Sequence, residues 1–170
     1  FMVGSPFRKL NGKGNFWISI CIAEHSFEIE AIIPPKQLNH NPMNAPLIAR
    51  RDLDFQLYEV HNASDLTSHP RYSDHSRETF DAVIDTATRM AETLFAPHNR
   101  LADEQEPQVV NGRVVLAEWV QAAVRAYCDA GFLSATADEA AAGMQLPVLV
   151  AQACLSVFRS ANVATTSYVG

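Results

Sequence analysis

The chain has 170 residues, of which 48% are hydrophobic and 19% charged, with seven glycines and nine prolines. These fractions exclude wholesale disorder, a collagen-like repeat and a coiled-coil rod, and the length suits one domain with a sizeable core. Thirteen Lys and Arg against nineteen Asp and Glu leave a formal charge of −6, so duplex nucleic acid would meet no cationic footprint and is excluded as a partner.

Residues 1–42 are written differently from the rest. They hold all three lysines, Lys9, Lys13 and Lys36, and six of the eight isoleucines, and their four cations slightly exceed their three carboxylates. From Met43 onward every cation is an arginine, nine of them facing sixteen carboxylates. A boundary beside Asn41-Pro42-Met43 follows, with residues 1–42 an irregular N-terminal extension, either a real arm or the product of a mis-called start. The longest strongly apolar run, Phe16-Trp17-Ile18-Ser19-Ile20-Cys21-Ile22-Ala23, falls well short of the roughly 20 residues that a spanning helix needs. Behind Arg8, Lys9 and Lys13 it has the order of a secretory signal, but no A-x-A cleavage box follows cleanly.

After Met43 the hydrophobic spacing is helical. Leu53, Leu57 and Val60 predict a short helix from Asp52 that ends before Asn62. Residues 61–76 mix turn formers with Pro70 and predict a loop. Phe80, Val83, Ile84, Ala87, Met90, Ala91, Leu94 and Phe95 predict a four-turn helix, with Ser73, Asp74 or Ser76 as N-cap, Glu78 in the first turn and Pro97 as its stop. Residues 98–115 are polar and turn-rich around Asp103-Glu104-Gln105-Glu106-Pro107 and Asn111-Gly112. Leu116, Trp119, Val120, Ala123, Val124 and Tyr127 resume a helical face, which Gly131 suits as a left-handed C-cap. A last helix opens at Pro147 and runs through Val150, Cys154, Leu155 and Phe158 to residues 160–162. With no strand alternation of useful length, residues 43–170 are expected to form an all-α antiparallel helical bundle.

No residue spacing carries a mechanism of its own. Cys21, Cys128 and Cys154 are far apart and odd in number, which fits neither a disulfide-stapled domain nor a CxxC zinc site and favours a reducing, cytoplasmic setting. Cys128 and Cys154 are expected to be small core residues. His61, His69 and His75 fall eight and six residues apart, unlike any metal-binding pair, and are expected to be solvated. G-x-G-x-x-G, G-x-x-x-x-G-K-[ST] and G-x-S-x-G do not occur.

Four stretches, in order, carry a resemblance: Ala45-Pro46-Leu47 followed by Asp52-Leu53-Asp54-Phe55-Gln56-Leu57-Tyr58-Glu59-Val60; Glu78-Thr79-Phe80-Asp81-Ala82-Val83-Ile84-Asp85 leading to Leu94-Phe95-Ala96-Pro97-His98-Asn99-Arg100-Leu101-Ala102-Asp103; Ala126-Tyr127-Cys128-Asp129-Ala130-Gly131-Phe132; and Leu146-Pro147 followed by Ser160-Ala161-Asn162 and Tyr168-Val169-Gly170. Residues 43–170 thereby resemble the N-terminal helical domain of flavin-dependent acyl-CoA dehydrogenases, in the branch that includes the methylmercaptopropionyl-CoA dehydrogenases. Two places depart from the pattern. Ala140-Ala141-Ala142-Gly143-Met144-Gln145 stands where the family usually has a glycine-rich turn, and Ala117-Glu118-Trp119 replaces its Pro-x-Gly; turns that need positive φ are costly without glycine.

The resemblance implies α,β-dehydrogenation of an acyl-CoA thioester, with FAD accepting hydride, a glutamate base on a later helical domain and an electron-transfer flavoprotein as acceptor. It implies a homo-oligomer when complete. It places the stretch over residues 161–170 against the acyl chain, which makes Thr165, Thr166 and Val169 the substrate-pocket residues. No catalytic base, flavin contact or metal ligand is assigned within the chain, so it is expected to be inactive alone and not to retain FAD. The alternative is a degenerate, non-enzymatic helical remnant or interaction module. In either case uncovered apolar helix faces are expected to drive self-association.

Overall fold

A computed structural model describes residues 46–170; the boundary at Met43, the extension over residues 1–42 and Cys21 lie outside the described residues. The first helix, α1 (Arg50–Asp54), widens into a π-type turn over Phe55–Val60 and buries only Leu57. It is fastened by charge. The Arg50 guanidinium lies 2.7 Å from Asp54 and 2.9 Å from Asp81, and also pairs with Asp85. Tyr58 Oη donates to Asp81 at 2.8 Å, and the Arg77 guanidinium stacks 4.0 Å from the Tyr58 ring centre. Because these pairs are partly exposed, each contributes about 1 kcal/mol or less.

Residues 61–76, expected as a loop, contain two 3₁₀ turns, Ala63–Ser68 and Pro70–Tyr72. Ser76 then caps α2 (Arg77–Met90): its hydroxyl accepts from the Thr79 N–H, and the Thr79 hydroxyl accepts from the Ser76 N–H at 2.8 Å. One face of α2 is buried along Phe80, Val83, Ile84, Ala87 and Met90.

Pro97 does not end this helix. Inside an ordinary α-helix, proline deletes a hydrogen bond and strikes the carbonyl four residues back. Here a wide turn over Ala91–Phe95 followed by a tight 3₁₀ turn over Ala96–His98 reseats the backbone, and the chain runs on into α3 (Asn99–Glu104). The Phe95 carbonyl accepts from Asn162 Nδ2 at 3.2 Å.

A second departure follows. The protein is mostly helical but also carries an antiparallel hairpin, β1 (Gln108–Val110) and β2 (Arg113–Val115), with Val109 opposite Val114. Asn111 (φ 52°) and Gly112 (φ 74°) make its two-residue turn, the pairing of positive φ values that a type I′ hairpin requires.

Helix α4 (Glu118–Asp129) ends at Gly131, whose φ of 80° is the expected left-handed cap. The turn after it is tight. A β-carbon on Gly143 would stand 2.2 Å from the Ala137 carbonyl oxygen, so that residue must be glycine. Ala142 (φ 58°) and Gln145 (φ 50°) take up left-handed backbone without being glycine. Both lie in the stretch where the sequence departs from the family pattern. Helix α5 (Val148–Ala161) follows Pro147, and Asn162 caps the short α6 (Val163–Thr166) by accepting from the Thr165 N–H at 2.9 Å.

Contacts at both ends fix the helix directions. His75, just before α2, meets Met144, just before α5, and Phe95, beyond α2, meets Asn162, at the end of α5; α2 and α5 therefore run the same way. Trp119 at the start of α4 stacks on His98 beyond the end of α2, and Arg50 of α1 pairs with Asp85 well along α2. The four longer segments thus alternate in direction. Their core is the α2–α5 seam, closed by Phe158, which packs on Phe95, Tyr127 and Phe132 at ring separations of 4.9, 5.0 and 5.3 Å.

Candidate functional site

Where α3, the hairpin, the start of α4 and α6 meet, they leave an open cleft of about 710 Å³. Its walls come from three separated stretches of chain. Residues 102–108 bring Asp103, Glu104 and Glu106; residues 115–120 bring Leu116, Trp119 and Val120; the C-terminal stretch brings Ala164, Thr165 and Tyr168. None of the lining residues is Lys or Arg. Glu104 is paired with Arg100 at 2.7 Å, whereas Asp103 and Glu106 have no cationic partner among the described residues.

Of the three pocket residues that the resemblance implies, only Thr165 is among the residues lining this cleft, and the three have different surroundings. Thr165 lines the cleft, is 1% exposed, and its Oγ1 has no hydrogen-bond partner. Thr166 is equally buried, but its hydroxyl donates to the Phe158 and Asn162 carbonyls at 3.0 and 2.7 Å and so closes the helix junction. Val169 is buried in the hydrophobic core. Sequence reading passed over Asp103, Glu106, Trp119 and Tyr168 as members of one site; the first two stand in a stretch it took for a polar turn.

Elsewhere the titratable groups are structural. His75, expected to be solvated, is buried: Nε2 donates to the Met144 carbonyl at 3.0 Å and the ring packs on Phe80, tying the start of α2 to the strained turn before α5. Cys128, expected in the core, is exposed, because it falls on the outer face of α4. Cys154 is buried, and burial pushes its thiol up to about 12, which leaves it protonated and unreactive at neutral pH. His98 stacks on Trp119 with ring centres 5.1 Å apart, and burial holds its imidazole below the ordinary value. Among the described residues no group of three or more His, Cys, Asp or Glu could hold a metal ion.

The donor set also speaks to a flavin. A dinucleotide pyrophosphate needs backbone N–H groups from a glycine-rich turn, or cations, facing its oxygens. The cleft presents three carboxylates instead, so its residues do not fit FAD. No helix of the described residues is long and apolar enough to cross a membrane. No family model matches the chain, and no curated protein or solved structure matches it.

Proposed function

We propose that this chain is the N-terminal helical domain of an FAD-dependent acyl-CoA dehydrogenase, serving as one wall of the acyl pocket, while the flavin and the glutamate base belong to other domains. What carries the reading is the cleft beside the 161–170 stretch: the segment that the sequence resemblance sets against an acyl chain borders an open, partly apolar hollow through Ala164, Thr165 and Tyr168. Supporting it, the described residues of the four stretches of resemblance fall in helical segments and the turns that join them, and the segments alternate in direction. Val148 and Val163, on the last helices, are 61% and 66% exposed, as faces meant for another domain would be.

In this reading the chain's own contribution is to bound the pocket and exclude water, and it performs no redox step. The test is to read the coding frame beyond codon 170 and to purify the protein it encodes. A continuation into a β-domain and glutamate-bearing helices, giving a yellow protein that bleaches with acyl-CoA, supports the reading. A continuation without them, or the 170-residue chain itself binding flavin and oxidising acyl-CoA, overturns it. The second reading, a non-enzymatic remnant, is favoured by one observation, the left-handed Ala142 and Gln145 in the turn where the family pattern has glycine.

A further inference from the structure

We propose that the outer edge of β1 pairs with the same edge of a second copy of this chain, joining two hairpins into one four-stranded antiparallel sheet about a two-fold axis. This goes beyond the acyl-pocket reading and does not depend on it. The register supplies the first observation. Val110 pairs with Arg113 across the two-residue turn, Val109 with Val114, and Gln108 with Val115. Antiparallel pairs alternate between those that exchange hydrogen bonds and those that do not. The pair flanking a two-residue turn exchanges them, so the next pair does not, and the N–H and C=O of Val109 and of Val114 point away from the hairpin. No other backbone group among the described residues bonds them. Val109 and Val114 are also the most exposed valines of the hairpin, at 72% and 65%. A lone hairpin is marginal in water, and further strands are what it lacks.

Charge selects a second copy as the occupant, and β1 over β2 as the edge. When β1 meets the partner's β1 about Val109, the two valines exchange both backbone bonds, and Val114, Val109 and their symmetry mates form one apolar row across four strands. Gln108 then faces the partner's Val110, so the turn of each hairpin lies beside the entry to the other. Glu106, just before that entry, comes diagonally across from the partner's Arg113, just after that turn. Both residues are exposed, and neither has an ion-pair partner among the described residues of its own chain. The two-fold axis makes the match twice. Pairing through β2 about Val114 would instead set the two Arg113 side chains diagonally on one face of adjacent strands, which like charges disfavour, and would leave Glu106 a strand further off. The hairpin thus carries its own electrostatic complement at its two ends. Three-residue strands bury far less than the about 1,200–2,000 Å² of a stable interface. The association is therefore weak, with a Kd of about 0.1–1 mM expected.

Sedimentation velocity of the full chain from about 10 µM to about 1 mM tests this. A monomer–dimer equilibrium is expected, with the Val109 amide gaining protection from hydrogen exchange as the dimer forms. Val109→Pro deletes the outward N–H and spares the bonds inside the hairpin, at an edge position where proline is tolerated. It is expected to weaken dimerisation at least about tenfold with an unchanged melting temperature. Arg113→Glu and Glu106→Arg should each weaken it about tenfold. Their combination exchanges the two charges, and is expected to restore the original affinity to within about threefold. A hairpin that was merely damaged would show no such recovery. A monomer throughout the range, dimerisation unchanged by Val109→Pro, or a double variant no better than the single ones overturns the proposal. A monomer whose Val109 amide is nonetheless protected overturns it too, and assigns the edge to residues 1–45 of the same chain.

Discussion

Val83, Val150 and Val157 of the seam between α2 and α5 are at most 2% exposed, whereas Val109, Val110, Val114 and Val115 of the hairpin are 47–72% exposed. The side chain is the same and the outcome is opposite. Seam valines recur at helical spacing among Phe80, Ile84, Cys154 and Phe158, so each falls on a face that a second helix covers. Hairpin valines come in adjacent pairs, which a strand turns to opposite faces, and neither face is covered by the described residues. The seam is therefore stabilised by burial, at about 1.5–3 kcal/mol per large apolar side chain. The hairpin rests on its backbone pairing and its Asn111-Gly112 turn, and a two-stranded hairpin alone is marginal in water.

The comparison is tested most severely at Phe158, which is fully buried and touches three other rings. Phe158→Ala is expected to cost about 3–5 kcal/mol in denaturant unfolding. Amide exchange should then accelerate throughout α2 and α5 while the hairpin amides, already open to local unfolding, exchange at their former rates. Hairpin exchange that accelerates in step with the helices would show that the two regions are one cooperative unit.

Asn162 is where the regions join. Its side chain caps α6, which lines the cleft, and donates to the Phe95 carbonyl beyond α2. Asn162→Ala loses the cap, worth about 1 kcal/mol, and leaves a buried carbonyl without its donor, so a total cost of about 2–3 kcal/mol is expected. Thermal unfolding checks the total. Asn162→Asp, which keeps the capping oxygen but cannot donate, separates the two contributions.

How far all this could be read beforehand differs between the same two regions. The α2 and α5 faces were legible because Phe80, Val83, Ile84, Ala87 and Val150, Cys154, Phe158 keep a helical period over several turns. The hairpin was not, since three-residue strands are too short to show a period; its one signal was Asn111-Gly112 between β-branched pairs. Pro97 misled because a proline normally marks a stop, and nothing local reveals that a change of turn will absorb it. The cleft was invisible for a topological reason: Asp103, Trp119 and Thr165 are strangers in sequence and meet only when α4 folds back along α2 and α5. Glycine placement was the exception. The departure from the family pattern over residues 140–145 coincides with left-handed backbone at Ala142 and Gln145.

That strain sets the next effect in size. Left-handed backbone costs an L-residue about 1–2 kcal/mol, and relief of that cost by glycine is offset by about 0.5–1 kcal/mol because glycine loses more entropy on folding. Ala142 is exposed and its side chain joins no core packing. Ala142→Gly is therefore expected to stabilise the protein by about 0.5–1 kcal/mol, seen as a higher denaturation midpoint at unchanged slope. A lower midpoint would mean that the turn is not strained.

The smallest effect concerns His98, at the border between seam and cleft. Burial disfavours its charged form, so its folded-state value lies below the ordinary 6.5 of the unfolded chain. The unfolded state then binds a proton that the folded state refuses, and stability rises with pH across that interval. The contribution is fully present above about 6.5 and is lost as pH falls towards the folded-state value, below which it changes no further. Because the imidazole stacks on Trp119, its protonation also brings a positive charge up to one wall of the cleft. His98→Gln should flatten the dependence of the unfolding free energy on pH over this acid interval, which denaturant titrations at a series of pH values check. A profile that keeps its slope in the variant would mean that a group other than His98 sets the acid loss of stability.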